Sequence, residues 1–229
     1  MEKSSFNGFK AETLQFFSML EHNNNKEWFK GNKSFYTERV LDPAKSFIIE
    51  MGSSLSKLYP TLYWGTQANG SGSLMRIYRD VRFSKDKRPL KENLGIIFPL
   101  REGKKVEQPC FYFHIDTSSS FFYGGQHRFS KEILERYREA VADEKKGKEL
   151  VLILQRLSDV GYTLMEEPHY KRVPREYDKD HPRERLLRQV GLGIGYNLKE
   201  EDLLGSELIS DCLQFAHLIQ PLMSWLLAL

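Results

Sequence analysis

Between Ser73 and Gly125 the chain carries four short β-type runs, SLMRIY, LGIIFPL, CFYFHID and SFFYG, separated by Gly, Pro, Ser and charged clusters. No ten-residue helical pattern lies between any two of them. Parallel neighbours need a crossover of a dozen residues or more, so the runs read as a meander of antiparallel strands. That argues against a doubly wound parallel sheet. On both sides the texture is helical. Ala11–His22 places Leu14, Phe17 and Leu20 at helical spacing, with Phe16 alongside. Asn25 is a fitting N-cap for the next helix. Helical pattern then runs through KEWFKGNKSFYTERV, with Trp28, Phe35 and Val40 expected to face inward, and Pro43 opens a further helix reaching about Lys57. After the strands, Ser130 caps KEILERYREAVADE, Gly147 is expected to separate it from ELVLILQRL, and that helix stops at Gly161. Asn197 with Glu200 resembles a capping box. Leu208, Cys212, Phe215, Ile219, Leu222 and Leu226 form a last apolar stripe, which Pro221 is expected to kink. The expectation is an α+β fold in a single domain over 1–229: helical 1–58, sheet-rich 73–125, and a helical closing part 130–229.

Composition fits that reading. Apolar residues at 40% and aromatics at 13% of 229 can fill a core. Nowhere do 18 apolar residues run together, so no membrane-spanning helix is expected. The start, MEKSSFNGFKAETL, has no apolar stretch after its charges, which argues against a secretory signal. Cys110 and Cys212 cannot form a disulfide framework or a zinc site alone and read as buried, reduced thiols. A cytoplasmic location is expected.

Charge is concentrated in one place. Arg76–Lys91, RIYRDVRFSKDKRPLK, has seven bases (Arg76, Arg79, Arg82, Lys85, Lys87, Arg88, Lys91) against Asp80 and Asp86, a formal +5. The whole chain is +3, which leaves −2 for everything else. Ile77, Tyr78, Val81 and Phe83 are threaded through the bases, which a solvated charge run does not require. As a strand, Arg76, Tyr78, Asp80 and Arg82 share one face, and Ile77, Arg79, Val81 and Phe83 the other. Asp80 is expected to orient the guanidinium groups around it. The bases left over make the stretch a candidate anion site: Arg76, Arg79, Arg82, Lys85, Lys87 and Lys91, with Asp80.

The same residues carry a resemblance. Arg-x-x-Arg-Asp-x-Arg-Phe (Arg76 to Phe83) followed by Ser-Lys-Asp-Lys is similar to the signature of a family of conserved hypothetical proteins with a domain of unknown function. The likeness extends over the chain, through Phe9, NNKEWF (Asn24 to Phe29), FYFHI (Phe111 to Ile115), Gly124-Gly125 and the YKRVPREYDKDHPRERLLR run. Leu90 departs from it, standing where members tend to carry a tyrosine. The resemblance implies no activity.

A second tract, His169–Arg188, has seven bases and four acids. Its Arg172, Arg175, Tyr177, His181 and Arg188 interleave cations with rings, a pattern suited to phosphate contact and base stacking. His114 and Asp116 point the same way on a strand and, with a distant His169 or His181, imitate a two-His-one-carboxylate metal set, but they lack a nearby third ligand in sequence, so no metal and no cofactor are expected. His114 reads as a hydrogen-bonded strand residue, and Gly124-Gly125 as a plain turn. There is no Walker-type loop and no Gly-x-Ser-x-Gly. The functional expectation is binding of a phosphate-bearing or other anionic ligand, nucleic acid among them. The alternatives are an enzyme acting on a phosphorylated or carboxylated small molecule, with Asp80 or His114 as base, and a module docking an acidic protein. Oligomeric state is left open.

Overall fold

The computed structural model describes residues 6–101 and 103–229. Helix α1 (Ala11–His22) has the expected bounds and buries Phe16, Phe17 and Leu20. The Asn25 side chain accepts from Trp28 N at 2.9 Å and starts α2 (Lys26–Gly31). After α3 (Lys33–Tyr36) the helix widens to π geometry over Thr37–Leu41 and continues as α4 (Asp42–Leu58). Val40 is buried as expected, but Phe29 takes the core position, with Trp28 and Phe35 only half-buried. The segment is interrupted at Asn32 between α2 and α3 and again widened at Thr37–Leu41, so one 3.6-residue period cannot hold across it.

Strands β1 (Leu94–Pro99), β2 (Cys110–Ile115), β3 (Ser120–Gln126) and β4 (Leu192–Asn197) form one antiparallel sheet in the order β1-β2-β3-β4. The fold is α+β. One expected strand, SLMRIY, is reduced to isolated antiparallel bridges at Leu74–Ile96 and Tyr78–Leu90. Another, β4, was not expected, because two glycines interrupt its alternation. Gly193 is there for space: a Cβ on it would lie 2.1 Å from the Tyr123 hydroxyl, and one on Gly125 would lie 2.4 Å from Gly193 Cα. Gly124 and Gly125 are accordingly strand residues at a close approach of backbones, and the plain-turn reading is corrected.

The described residues divide into two compact units: those of 6–98, 112–122 and 197–214 in the first, and those of 99–111, 123–196 and 215–229 in the second. The first has an aromatic core in which Phe113 stacks on Phe9 (5.6 Å between centroids) and packs on Phe47 (4.4 Å). It also holds α8 (Glu200–Leu204), which starts where Asp202 accepts from Lys199 N at 2.7 Å. The cap is thus Lys199 with Asp202, since Asn197 is used to end β4. Helix α9 (Leu208–Leu218) begins in this unit.

The second unit contains α5 (Lys131–Ala142), α6 (Glu144–Asp159), α7 (Glu184–Leu187) and α10 (Gln220–Leu227). Phe129 stacks on Tyr137 at 4.5 Å, and Trp225 meets Tyr137 edge-on. Ser130 caps α5 as expected. The break before α6 falls at Asp143, whose carboxylate accepts from Lys145 N and Lys146 N, and Gly147 lies inside the helix. There its missing Cβ leaves room for Val141 O and for Arg183. The apolar stripe from Leu208 to Leu226 is buried throughout, and the helix breaks at Ile219 ahead of Pro221. Both cysteines are free and buried. No helix among the described residues is long and apolar enough to cross a membrane.

Candidate functional site: a basic finger beside a polar cleft

From the Leu74 bridge to the Tyr78 bridge the chain takes four steps, while its partner takes six from Leu90 to Ile96. Two residues are left over, and Glu92 and Asn93 bulge out of the pairing. This register change breaks the ladder and is why SLMRIY does not become a full strand. Beyond Tyr78 the two sides separate, and 79–89 form a finger closed at its base by Arg79 N donating to Pro89 O and Lys91 N donating to Ile77 O.

Alternation survives in part. Ile77 is buried, Arg79 and Val81 are half-buried, and Tyr78, Asp80 and Arg82 are exposed. It fails at Phe83, expected on the inner face and found 95% exposed. Arg79 donates to Asp86 at 2.6 Å. Arg88 grips the same carboxylate and also Glu92, at 2.6 and 2.8 Å. Asp80 does not orient Arg79. It takes Arg82 in a two-pronged grip at 2.9 and 2.7 Å, and it also accepts from Arg82 N. Those hydrogen bonds hold the Asp80 carboxyl down at about 2. A finger turned back on itself brings Asp86 to Arg79, which an extended strand could not. Lys87 donates to Val81 O at 3.1 Å.

Arg76, Lys85 and Lys91 are left without an ion pair among the described residues. Lys91 is half-buried. Burial first, and then the nearby Arg76 guanidinium, push its pKa below the ordinary lysine value. Neither Arg76 nor Lys91 has an ion pair among the described residues, although the Asp80 carboxylate, itself gripped by Arg82, also lies in the field of Arg76.

Asn24 ties this segment to the N-terminal helices. Its side chain accepts from Leu90 N (3.0 Å) and donates to Leu90 O (3.0 Å) and Glu92 (2.7 Å). Beside the base of the finger lies an open polar cleft of about 370 Å³, lined by Glu21, Arg79, Lys91, Asn93, Asp116 and Ser118 among others. Glu21 accepts from Thr117 Oγ1 across it. Asp116 closes the β2–β3 turn, its Oδ1 accepting from Ser118 N (2.7 Å) and Ser119 N (2.6 Å). Its Oδ2 pairs with His114 Nε2 at 2.8 Å. Burial raises the Asp116 carboxyl, but the bonds from His114, Ser118 and Ser119 outweigh it and bring it down to about 2. The other imidazole nitrogen faces Tyr112 Oη at 3.2 Å and Asn93 Nδ2 at 3.4 Å. His114 therefore has both nitrogens engaged, and the described residues contain no group of three or more His, Cys, Asp or Glu side chains suited to a metal.

Among the candidate residues named from sequence, Arg79 and Lys91 line the cleft, while Asp80, Arg82, Lys85 and Lys87 belong to the finger. Glu21, Asn24, Glu92 and Asn93 escaped sequence reasoning. Asp-Thr-Ser-Ser at 116–119 is the one local signal that could have flagged the cleft rim, since aspartate commonly accepts from the amide two residues on.

The second basic tract lies in the second unit. Arg188 is paired with Glu184 at 2.8 Å, and His181 accepts from Arg183 N at 3.0 Å. Tyr177 is half-buried, whereas Arg172 and Arg175 are exposed and carry no ion pair among the described residues. Arg183 is buried and donates to Val141 O (2.6 Å) and Ala142 O (3.0 Å), so it closes the end of α5.

An α+β chain with a basic finger over a loop-built cleft is the class these features define. Within that class, residues 12–225 match the family described as conserved hypothetical protein (DUF2461), and the chain belongs to that family. No curated protein and no solved structure matched it.

Proposed function

We propose that the finger and the residues at its base bind a phosphate-bearing ligand, and that single-stranded nucleic acid is the class they fit best. The observation that carries this is the surplus of cations: Arg76, Lys85 and Lys91 have no ion pair among the described residues, Lys91 lines the cleft half-buried, and Asp80, the carboxylate near Arg76, is gripped by Arg82. Like charges held together this way favour a bound anion, and phosphate oxygens accept from such donors at short range. Phe83 and Tyr78 add the preference for nucleic acid. Phe83 is 95% exposed, and Tyr78, whose ring meets Phe29 edge-on, is 54% exposed; both lie inside the most basic stretch of the chain. Arg82 lies over the Phe83 ring at 5.8 Å. Exposed rings among cations are how sequence-tolerant single-strand binding works, by stacking bases while cations follow the backbone.

Proton-transfer chemistry has less support. Asp80 is held too acidic by Arg82 to act as a base near neutral pH. His114 has no free ring nitrogen.

The test is anisotropy of a labelled single-stranded oligonucleotide with Phe83→Ala. Stacking is worth about 1–3 kcal/mol per base, so affinity should fall about fivefold or more while the fold is unchanged. Equal affinity in the variant removes the stacking part of the proposal.

A further inference from the structure

Helix α6 in the second unit has an unusual sequence for a surface helix. Its middle reads LVLIL (Leu150 to Leu154), and of these only Leu150 is buried, while Leu152 is 58% exposed and Val151 42%. An ordinary amphipathic helix turns one stripe inward and leaves polar residues outside. Here apolar side chains remain on the outer surface as well. On the α10 side that surface forms a groove of about 690 Å³ with Leu152, Ile153 and Trp225 on its walls. The groove is built firmly, because Trp225 Nε1 donates to Lys146 O at 3.1 Å and locks α10 against the start of α6.

The rim is basic. Lys145, Lys146, Lys148 and Arg156 line the groove against one acidic side chain, Glu149. Lys148 is held by Glu144 at 2.6 Å and Asp143 lies near Lys146, whereas Lys145 and Arg156 form no ion pair among the described residues. An apolar trough with this rim is complementary to one kind of partner. We propose that the α6–α10 groove docks an acidic amphipathic helix of another protein, its apolar stripe on Leu152, Ile153 and Trp225 and its carboxylates towards Lys145 and Arg156. Helix-in-groove recognition uses anchors at i, i+3, i+4 and i+7, and cations on a rim steer and orient the partner more than they hold it. This surface is separate in chemistry and in residues from the finger.

The probe is a fluorescein-labelled peptide of about 18 residues, with leucine along one helical face and glutamate on its flanks, measured by anisotropy. A second peptide replaces every glutamate with lysine. The acidic peptide should bind, more weakly as salt rises, and the basic one should not. Leu152→Asp should weaken binding about tenfold or more, as truncation of a central apolar anchor does. Arg156→Glu should weaken it without changing the thermal midpoint, since that side chain is exposed and supports nothing. Equal binding of the two peptides, or no effect of Leu152→Asp, overturns the proposal. So does a dimer in light scattering that Leu152→Asp splits, which would make a second copy of the chain the occupant. Leu152-dependent co-sedimentation with anionic phospholipid vesicles, in the absence of peptide binding, would assign the groove to a membrane surface instead.

Discussion

At Asp116 two opposing effects meet in one side chain. Burial disfavours its charge, while His114, Ser118 and Ser119 donate to it and favour the charge more strongly, to a folded pKa of about 2. An unfolded aspartate titrates near about 3.9. A depressed carboxylate pKa stabilises the fold above the unfolded value, and that contribution is lost as pH falls through the folded one. Urea unfolding of wild type should therefore weaken between about pH 4 and pH 2, and Asp116→Asn should make that limb shallower, with Asp80, Asp86 and Asp143, also held below the ordinary value, supplying the rest. The same slope in both proteins would contradict the assignment. Arg79 and Arg82 offer a second comparison. Each has one carboxylate partner, but the Arg79 side chain is 27% exposed and that of Arg82 is 77% exposed. Exposed pairs contribute little, whereas removing Arg79 leaves part-buried Asp86 with Arg88 alone. Arg79→Met should lower the thermal midpoint by about 2–4 °C more than Arg82→Met, corresponding to about 1 kcal/mol. Equal midpoints would mean that Arg79 is not part of the support.

Among the elements, what sequence made legible depended on periodicity. Helix α1 and the stripe from Leu208 to Leu226 repeat at helical spacing over enough residues to be read directly, and their faces are buried as expected. Strand β4 was not legible, because Gly193 and Gly195 are chosen for what lies beside them and leave no alternation. SLMRIY was misread for a different reason. Its composition suits a strand, but pairing is decided by the partner, and the partner bulges at Glu92–Asn93. Half of the candidate site was legible in the same sense. Its cations announce themselves as a charge cluster, while Asn24, which clamps the segment that carries Lys91, reaches Leu90 and Glu92 across 66 and 68 positions of sequence. Asn24→Ala removes three hydrogen bonds to the Leu90–Glu92 segment at once. At about 0.5–1.5 kcal/mol net for each, it should cost roughly 2 kcal/mol and loosen Lys91. Thermal unfolding with hydrogen exchange at Leu90 checks this; full protection at Leu90 in the variant would show that the clamp is dispensable.

Over the whole molecule, the mild net charge of +3 conceals a segment of +5, and the structure turns that segment into a finger whose arginines are paired while Arg76 and Lys91 are not. The role proposed for this couple is to hold a phosphate-bearing ligand in a way that total charge alone does not. The most direct measurement is the affinity of a labelled single-stranded oligonucleotide across a salt series, for wild type, for Arg76→Ala/Lys91→Ala, and for Lys171→Ala/Lys179→Ala as a control of equal charge loss in the second unit. On single strands each phosphate contact contributes about −0.7 to the slope of log affinity against log salt. The Arg76/Lys91 variant should lose about tenfold or more in affinity at low salt, and its slope should become shallower by about 1.4. The control should keep both. No binding by wild type at low salt, or the same loss in both double variants, would contradict the account.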